Sequence, residues 1–177
     1  MNGRPVNPRL VFARPQDIYG RSRVAARRRE QVNEAAQRLG VELVKVEFRR
    51  PKDLEPAFAT LSREGAKATI VASTPALGHL RDRVAALALK NRLPTVGFSR
   101  SFAEADLLMS YGMPPDLLNQ RAAADVDRIL KGERPAELPV QQSMSMKTEL
   151  VINLKTAKAL GVTIPQTLRQ RADQVVE

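Results

Sequence analysis

The chain has 177 residues, 43% of them hydrophobic and 27% charged, enough for one domain with a real core. It has no cysteine and one histidine, His79. Disulfides, thiol nucleophiles and cysteine metal sites are therefore excluded, and a Ser-His-Asp triad or a zinc site would have to be built on His79 alone.

The formal net charge is +10, and the first 50 residues carry 12 Lys/Arg against 5 Asp/Glu. Nothing approaches the length of a membrane span. Residues 1–9 are charged, with no apolar stretch of useful length behind them, so no signal peptide is expected. On that reading the chain is cytoplasmic if its start is the true one.

Residues 10–13 form a short apolar run and predict the first strand. Pro15, Asp17 and Gly20 mark a loop. Ser22 can cap a helix in which Val24, Arg28, Val32, Ala35, Ala36 and Leu39 keep helical spacing, with Arg28 the polar break. Gly40 suits the left-handed position that closes such a helix. Residues 41–48, rich in branched side chains, predict a second strand. Asp53 is placed to cap a helix whose Leu54, Ala57, Phe58 and Leu61 share one face, with Pro56 in its first turn.

Residues 68–72 are continuously apolar or small, as in a strand buried on both faces of a parallel sheet. Leu77, Leu80, Val84 and Leu87 then predict one helix. Residues 94–98 and 107–110 predict a fourth and a shorter fifth strand. Pro114 and Pro115 open a helix whose buried face is expected to be Leu118, Ala122, Val126 and Ile129, and Gly132 with Pro135 ends it. Strand and helix alternate throughout. That pattern predicts an α/β fold, a three-layer Rossmann-like parallel sheet with right-handed crossovers. Residues 133–148 read as a linker. Residues 149–177 read as a strand, a short helix closed by Gly161 and a final helix opened by Pro165.

Ligands of open α/β sheets sit beyond the carboxyl ends of the strands. The candidates there are Tyr19 after the first strand, Ser73, Thr74 and Pro75 after the third, Ser99, Arg100 and Phe102 after the fourth, and Tyr111 after the fifth. Ser73 and Thr74 offer hydroxyls and the first backbone N–H groups of a helix, which suits a carboxylate. Arg100 can add a bidentate contact to an anion. Phe102 and Tyr111 can pack on an apolar part of a solute. Each also has a structural reading: Ser73 and Thr74 as helix caps, Arg100 as a solvated loop residue, Tyr111 as packing on its own sheet edge.

The sequence contains neither G-x-G-x-x-G nor G-x-x-x-x-G-K-[ST]. Asp125 and Asp127 are two apart, so on a helix they face different ways. No enzyme, metal or cofactor is expected. A basic nucleic-acid-binding α/β protein is the alternative, and it rests on charge and on Arg21, Arg23, Arg27, Arg28 and Arg29. These alternate with Glu30 and Glu34, as on a solvated helix face. At 4% aromatic the chain also lacks a base-stacking platform, so no nucleic-acid partner is expected.

Four blocks carry a family resemblance. Residues 106–112, Asp–Leu–Leu–Met–Ser–Tyr–Gly, are similar to a "GGLMSYG" segment. Residues 121–132 and 135–140 are similar to an "RAAxYVDxILKG…PADLPV" block. Asn–Arg–Leu–Pro at 91–94 is similar to an "HRLPAI" strand entry. The tail from Glu149 resembles a C-terminal signature, Glu–Leu–Val–Ile–Asn–Leu–Lys–Thr–Ala–Lys–Ala–Leu–Gly. From about residue 41 onward the chain thus resembles bacterial ABC-transporter substrate-binding proteins, of the type I periplasmic-binding class.

That resemblance implies two Rossmann-like lobes with the solute trapped between them and three chain crossings. It implies that residues 1–132 hold the second lobe and that 133–148 form the hinge. It also implies that 149–177 cross over to complete a first lobe, which the chain lacks, so a truncated member is expected. A small organic solute such as an amino acid, an ABC permease/ATPase complex as partner and a periplasmic location are implied in the same way. With one jaw missing, apolar surface is expected around Leu150, Ile152, Leu168 and Val175, and with it self-association through the C-terminal tail. Asp106 departs from the family pattern, which has glycine there.

Overall fold

The computed structural model describes residues 9–15, 23–48, 50–72, 75–139 and 148–177. Strands β1 (Arg9–Pro15), β2 (Glu42–Phe48), β3 (Ala68–Val71), β4 (Thr95–Gly97) and β5 (Met109–Gly112) are separated by helices. These are α1 (Arg23–Leu39), α2 (Leu54–Arg63), α3 (Pro75–His79), α4 (Arg81–Lys90) and α5 (Arg100–Glu104). Then follow α6 (Pro115–Leu130), β6 (Glu149–Asn153), α7 (Leu154–Leu160), α8 (Gln166–Gln170) and β7 (Gln174–Val176). The strands form one sheet in the order β2-β1-β3-β4-β5-β6-β7. The first five are parallel, as the strand–helix alternation predicts. The helix expected over Leu77–Leu87 is two, because a tight turn from the Leu80 N–H to the Leu77 carbonyl ends α3 before α4 begins.

The register decides which side chains share a face. Thr69 pairs with Thr95, Gly97 with Ser110, and Ser110 with Val151. Thr69, Val71, Thr95, Ser110, Val151 and Asn153 therefore lie on one face, and all are buried. Leu54, Phe58, Leu61, Val84, Leu87 and Phe102 from α2, α4 and α5 join Val71 in a single core. Each such side chain contributes about 1.5–3 kcal/mol by leaving water. The opposite face is less evenly covered: Ile152 is fully buried, Ile70, Val96, Met109 and Leu150 are half-buried and Tyr111 is exposed. β3, expected to be buried on both faces, is fully buried on one.

The tail departs from expectation. Residues 149–153 do not leave for another sheet. β6 pairs antiparallel with β5, and β7 pairs parallel with β6. Val151 and Ile152 are fully buried here, so Ile152 is not part of an exposed apolar surface. The last helix is also shorter than predicted. α8 has five residues, and the branched pair Val175–Val176 lies in an edge strand.

Asn153 pins the return. Its Nδ2 donates to the Ala103 carbonyl at 2.9 Å, and its Oδ1 accepts the Thr156 N–H at 2.8 Å, capping α7. The Thr156 hydroxyl donates to the Asp106 carbonyl at 3.1 Å. Asp106 itself has φ 66°, the left-handed region, which accounts for glycine in the family pattern. Its carboxylate lies 3.6 Å from the Lys155 ammonium.

α6 reverses its predicted orientation. Ala122, Val126 and Ile129, expected to be buried, are exposed, and the Leu118 side chain lies outside what the structure describes. The side chains that are half-buried are Leu117, Arg121, Asp125 and Arg128. Among the described residues α6 shares no extended interface with another element.

Two substitutions test this frame. Asn153→Ala removes a helix cap and strands a buried carbonyl, so it should cost about 2–3 kcal/mol in urea unfolding. At Gly112 a Cβ would overlap the Phe98 carbonyl oxygen, backbone that cannot swing aside. Gly112→Ala should therefore cost at least about 2 kcal/mol. Unchanged unfolding midpoints would show that neither residue holds the frame together.

Candidate functional site

β4 and β5 end on the same side of the sheet, and their carboxyl ends place three of the sequence candidates. Ser99 precedes α5, and its hydroxyl lies 2.9 Å from that of Ser101. Arg100 is the first residue of α5, and its Nη2 donates to Glu149 Oε2 at 2.9 Å. Tyr111 in β5 is 58% exposed, and its hydroxyl oxygen accepts from the Thr148 hydroxyl at 2.8 Å.

Phe102 is not on this rim. It is fully buried in the core, with its ring centroid 4.7 Å from that of Phe98. The helical turn of α5 that presents Arg100 outward carries Phe102 inward, so Phe102 supports the rim from below. Tyr19, Ser73 and Thr74 lie outside the described residues. Pro75 opens α3, and the structure describes its backbone position only.

The rim also gathers residues that sequence pattern alone assigns to the hinge and tail. Arg100, Pro114, Thr148, Glu149, Asp173 and Gln174 line an open hollow of about 440 Å³. Pro114 follows β5, Thr148 and Glu149 lead into β6, and Asp173 and Gln174 lead into β7. All reach one end of the sheet because β6 runs antiparallel to β5. Pairing of Gly112 with Glu149 would have revealed this, and no local signal encodes that pairing.

The electrostatics centre on Arg100 and Glu149. Their side chains are 38% and 12% exposed. The hydrogen bond to Glu149 and that carboxylate's charge hold the Arg100 guanidinium above the ordinary arginine range, with Asp116 and Glu104 adding smaller contributions. Arg100 Nε is buried with no hydrogen-bond partner among the described residues. The Asp173 carboxylate accepts the Leu150 N–H at 3.0 Å. The hollow thus offers a guanidinium, two carboxylates, a hydroxyl and an amide, suited to a small polar or zwitterionic molecule. Among the described residues no group of His, Asp or Glu is arranged to hold a metal ion, and no helix is long and apolar enough to cross a membrane.

Residues 18–176 match the family model described as ABC transporter substrate binding protein. The chain belongs to that family. No curated protein sequence matches it. Among solved structures it is similar to a conserved domain protein of Vibrio cholerae, with 23% identity and a TM-score of 0.79 over 93% of this chain and 54% of that one. It is similar as well to an ABC domain from Streptococcus pneumoniae in complex with L-Trp, with 19% identity and a TM-score of 0.79 over 95% and 55%. A third is the ligand-free, open form of a substrate-binding protein with adhesive properties from Clostridium difficile, with 18% identity and a TM-score of 0.63 over 97% and 55%. These likenesses show the fold, that of type I periplasmic binding proteins. This family member spans about half the length of each.

A double-mutant cycle checks whether the rim is one electrostatic unit. Arg100→Ala and Glu149→Ala should be strongly non-additive in denaturant unfolding, because either alone leaves a partly desolvated charge behind. The exposed Arg38–Glu34 pair, 3.5 Å apart, should show almost no coupling. Equal coupling for both pairs would deny the rim its special environment.

Proposed function

We propose that the chain is a solute-binding component of an ABC importer, carrying one half of the binding clamp for a small organic solute such as an amino acid. The family match over residues 18–176 carries this reading. The polar groups gathered at the carboxyl end of the sheet support it, since this is where open α/β sheets take ligands. In the hollow Arg100 supplies donors for a carboxylate and Glu149 and Asp173 supply acceptors for an ammonium, while beside it Ser99 adds a hydroxyl and exposed Tyr111, bonded to Thr148, adds an aromatic face. Ser73 and Thr74, at the end of β3, and Tyr19 are proposed members of the same rim.

In this reading the chain does no covalent chemistry. It works on the extracytoplasmic side of the membrane and hands its solute to a permease and ATPase complex. One lobe covers a solute from one side only, so its own affinity is low and the second jaw comes from residues beyond the 177 or from another chain.

Calorimetry and thermal unfolding of the purified protein against a panel of free amino acids, L-tryptophan included, test the proposal. At least one solute should raise the unfolding midpoint in a saturable way, with a dissociation constant in the millimolar range. Replacing exposed Tyr111 with Ala should weaken that response about tenfold or more without lowering the midpoint of the free protein. A flat response to the whole panel would sink the reading.

A further inference from the structure

The chain carries a formal net charge of +10, yet the hollow at the carboxyl end of the sheet is locally acidic. Among the described residues Arg100 is the one cation that lines it, against the carboxylates of Glu149 and Asp173. Asp116, in the first turn of α6, and Glu104, at the end of α5, act on the same guanidinium. An anion drawn to this protein by its overall charge therefore meets the opposite sign at this rim.

Arg100 is also already engaged. Its Nη2 donates to Glu149 Oε2 at 2.9 Å, and its Nε is buried. Glu149 is held where it stands. It opens β6, where it pairs with Gly112 of β5, and its side chain is only 12% exposed. β6 is fixed in turn by Asn153, through its bonds to Ala103 and Thr156. A solute carboxylate must share the guanidinium with a carboxylate that the sheet keeps in place. Unless the solute brings its own positive charge, it sets a third carboxylate beside Glu149 and Asp173, and like charges repel.

We propose that Glu149 is the specificity-determining residue of this hollow: by neutralising Arg100 it restricts the site to solutes that carry an ammonium group, zwitterionic or cationic, and excludes organic anions that lack one. The ammonium lies against Glu149 and Asp173. A carboxylate on the same molecule then uses the remaining N–H groups of Arg100. Repulsion of the wrong solute selects here as much as attraction of the right one. The inference rests on the solute-binding reading for its biological use, while the charge preference belongs to the rim itself.

Nuclear magnetic resonance titration of the 177-residue protein with ethylammonium chloride and with sodium acetate, at matched ionic strength, tests it. The reporters are the Arg100 Nε–H and the Leu150 backbone N–H, which donates to Asp173. Ethylammonium should shift both in a saturable way and bind about tenfold or more tightly than acetate, although the net charge of +10 favours acetate over the surface as a whole. Glu149→Gln keeps an acceptor for Arg100 and removes the charge, so it should reverse the order, with acetate gaining about tenfold. Arg100→Gln, read at Leu150, frees Glu149 and should tighten ethylammonium instead. Equal binding of the two ions to the unaltered protein, tighter binding of acetate, or binding of neither overturns the inference. So does a folded Glu149→Gln protein that keeps the original order. Should that variant fail to fold, Arg100→Gln decides, and unchanged or weakened ethylammonium binding there is equally fatal. A flat response to the amino-acid panel, with ethylammonium still preferred at the rim, would remove the transport reading and leave this charge filter standing.

Discussion

The antiparallel pairing of β6 with β5 is the constraint on which the rest of this structure depends. Without it the sheet would stop at β5, with one row of backbone donors and acceptors unpaired. With it, Val151 and Ile152 become core residues, and β7 finds an edge to join. Backbone pairing alone would leave the register free to slip. Asn153 prevents that by bonding to Ala103 in α5 and to Thr156 in α7 at the same time. A buried amide with both ends satisfied adds specificity, because a one-residue slip would leave it unpaired in a dry site.

The same pairing creates the functional end of the molecule. The chain leaves the sheet at Gly112 and returns at Glu149, directly opposite. Two side-chain contacts close this neck, Tyr111 with Thr148 and Arg100 with Glu149. Gly112 permits the close approach to the Phe98 carbonyl that the neck requires. Residues that follow β4 and β5 and residues that open β6 and β7 therefore converge on one hollow, though they are separated by as many as 74 positions in the chain, from Arg100 to Gln174.

α6 belongs to the excursion between those two neck strands, and its exposed Val126, Ile129 and Leu130 show how little a helix's pattern says about what covers it. Its spacing and its proline start specify a helix, yet isolated helices of this length are marginal in water. The Asp127–Lys131 and Arg128–Glu133 pairs support its last turn, but exposed pairs add little. Its stability as part of a folded protein has to come from apolar packing, and among the described residues no element makes an extended interface with it.

The sequence by itself determined the local grammar. The alternation of 3.6-residue and strand-like patterns specified five parallel strands and their helices. Gly40 and Gly161 ended helices where their positive φ requires. The carboxyl-end rule brought Ser99, Arg100 and Tyr111 to one rim. The family followed from short blocks of wording, which are also local. Tertiary structure decided the rest. That Glu149 answers Arg100, that Phe102 points into the core, and that the tail closes this sheet while Val126 and Ile129 of α6 are exposed are all matters of pairing. A strand's pattern states that it needs neighbours but not which ones, and an amphipathic helix states that it has an apolar face but not what covers it. Those choices depend on the free-energy balance of all the long-range contacts together, so no window of neighbouring residues contains them.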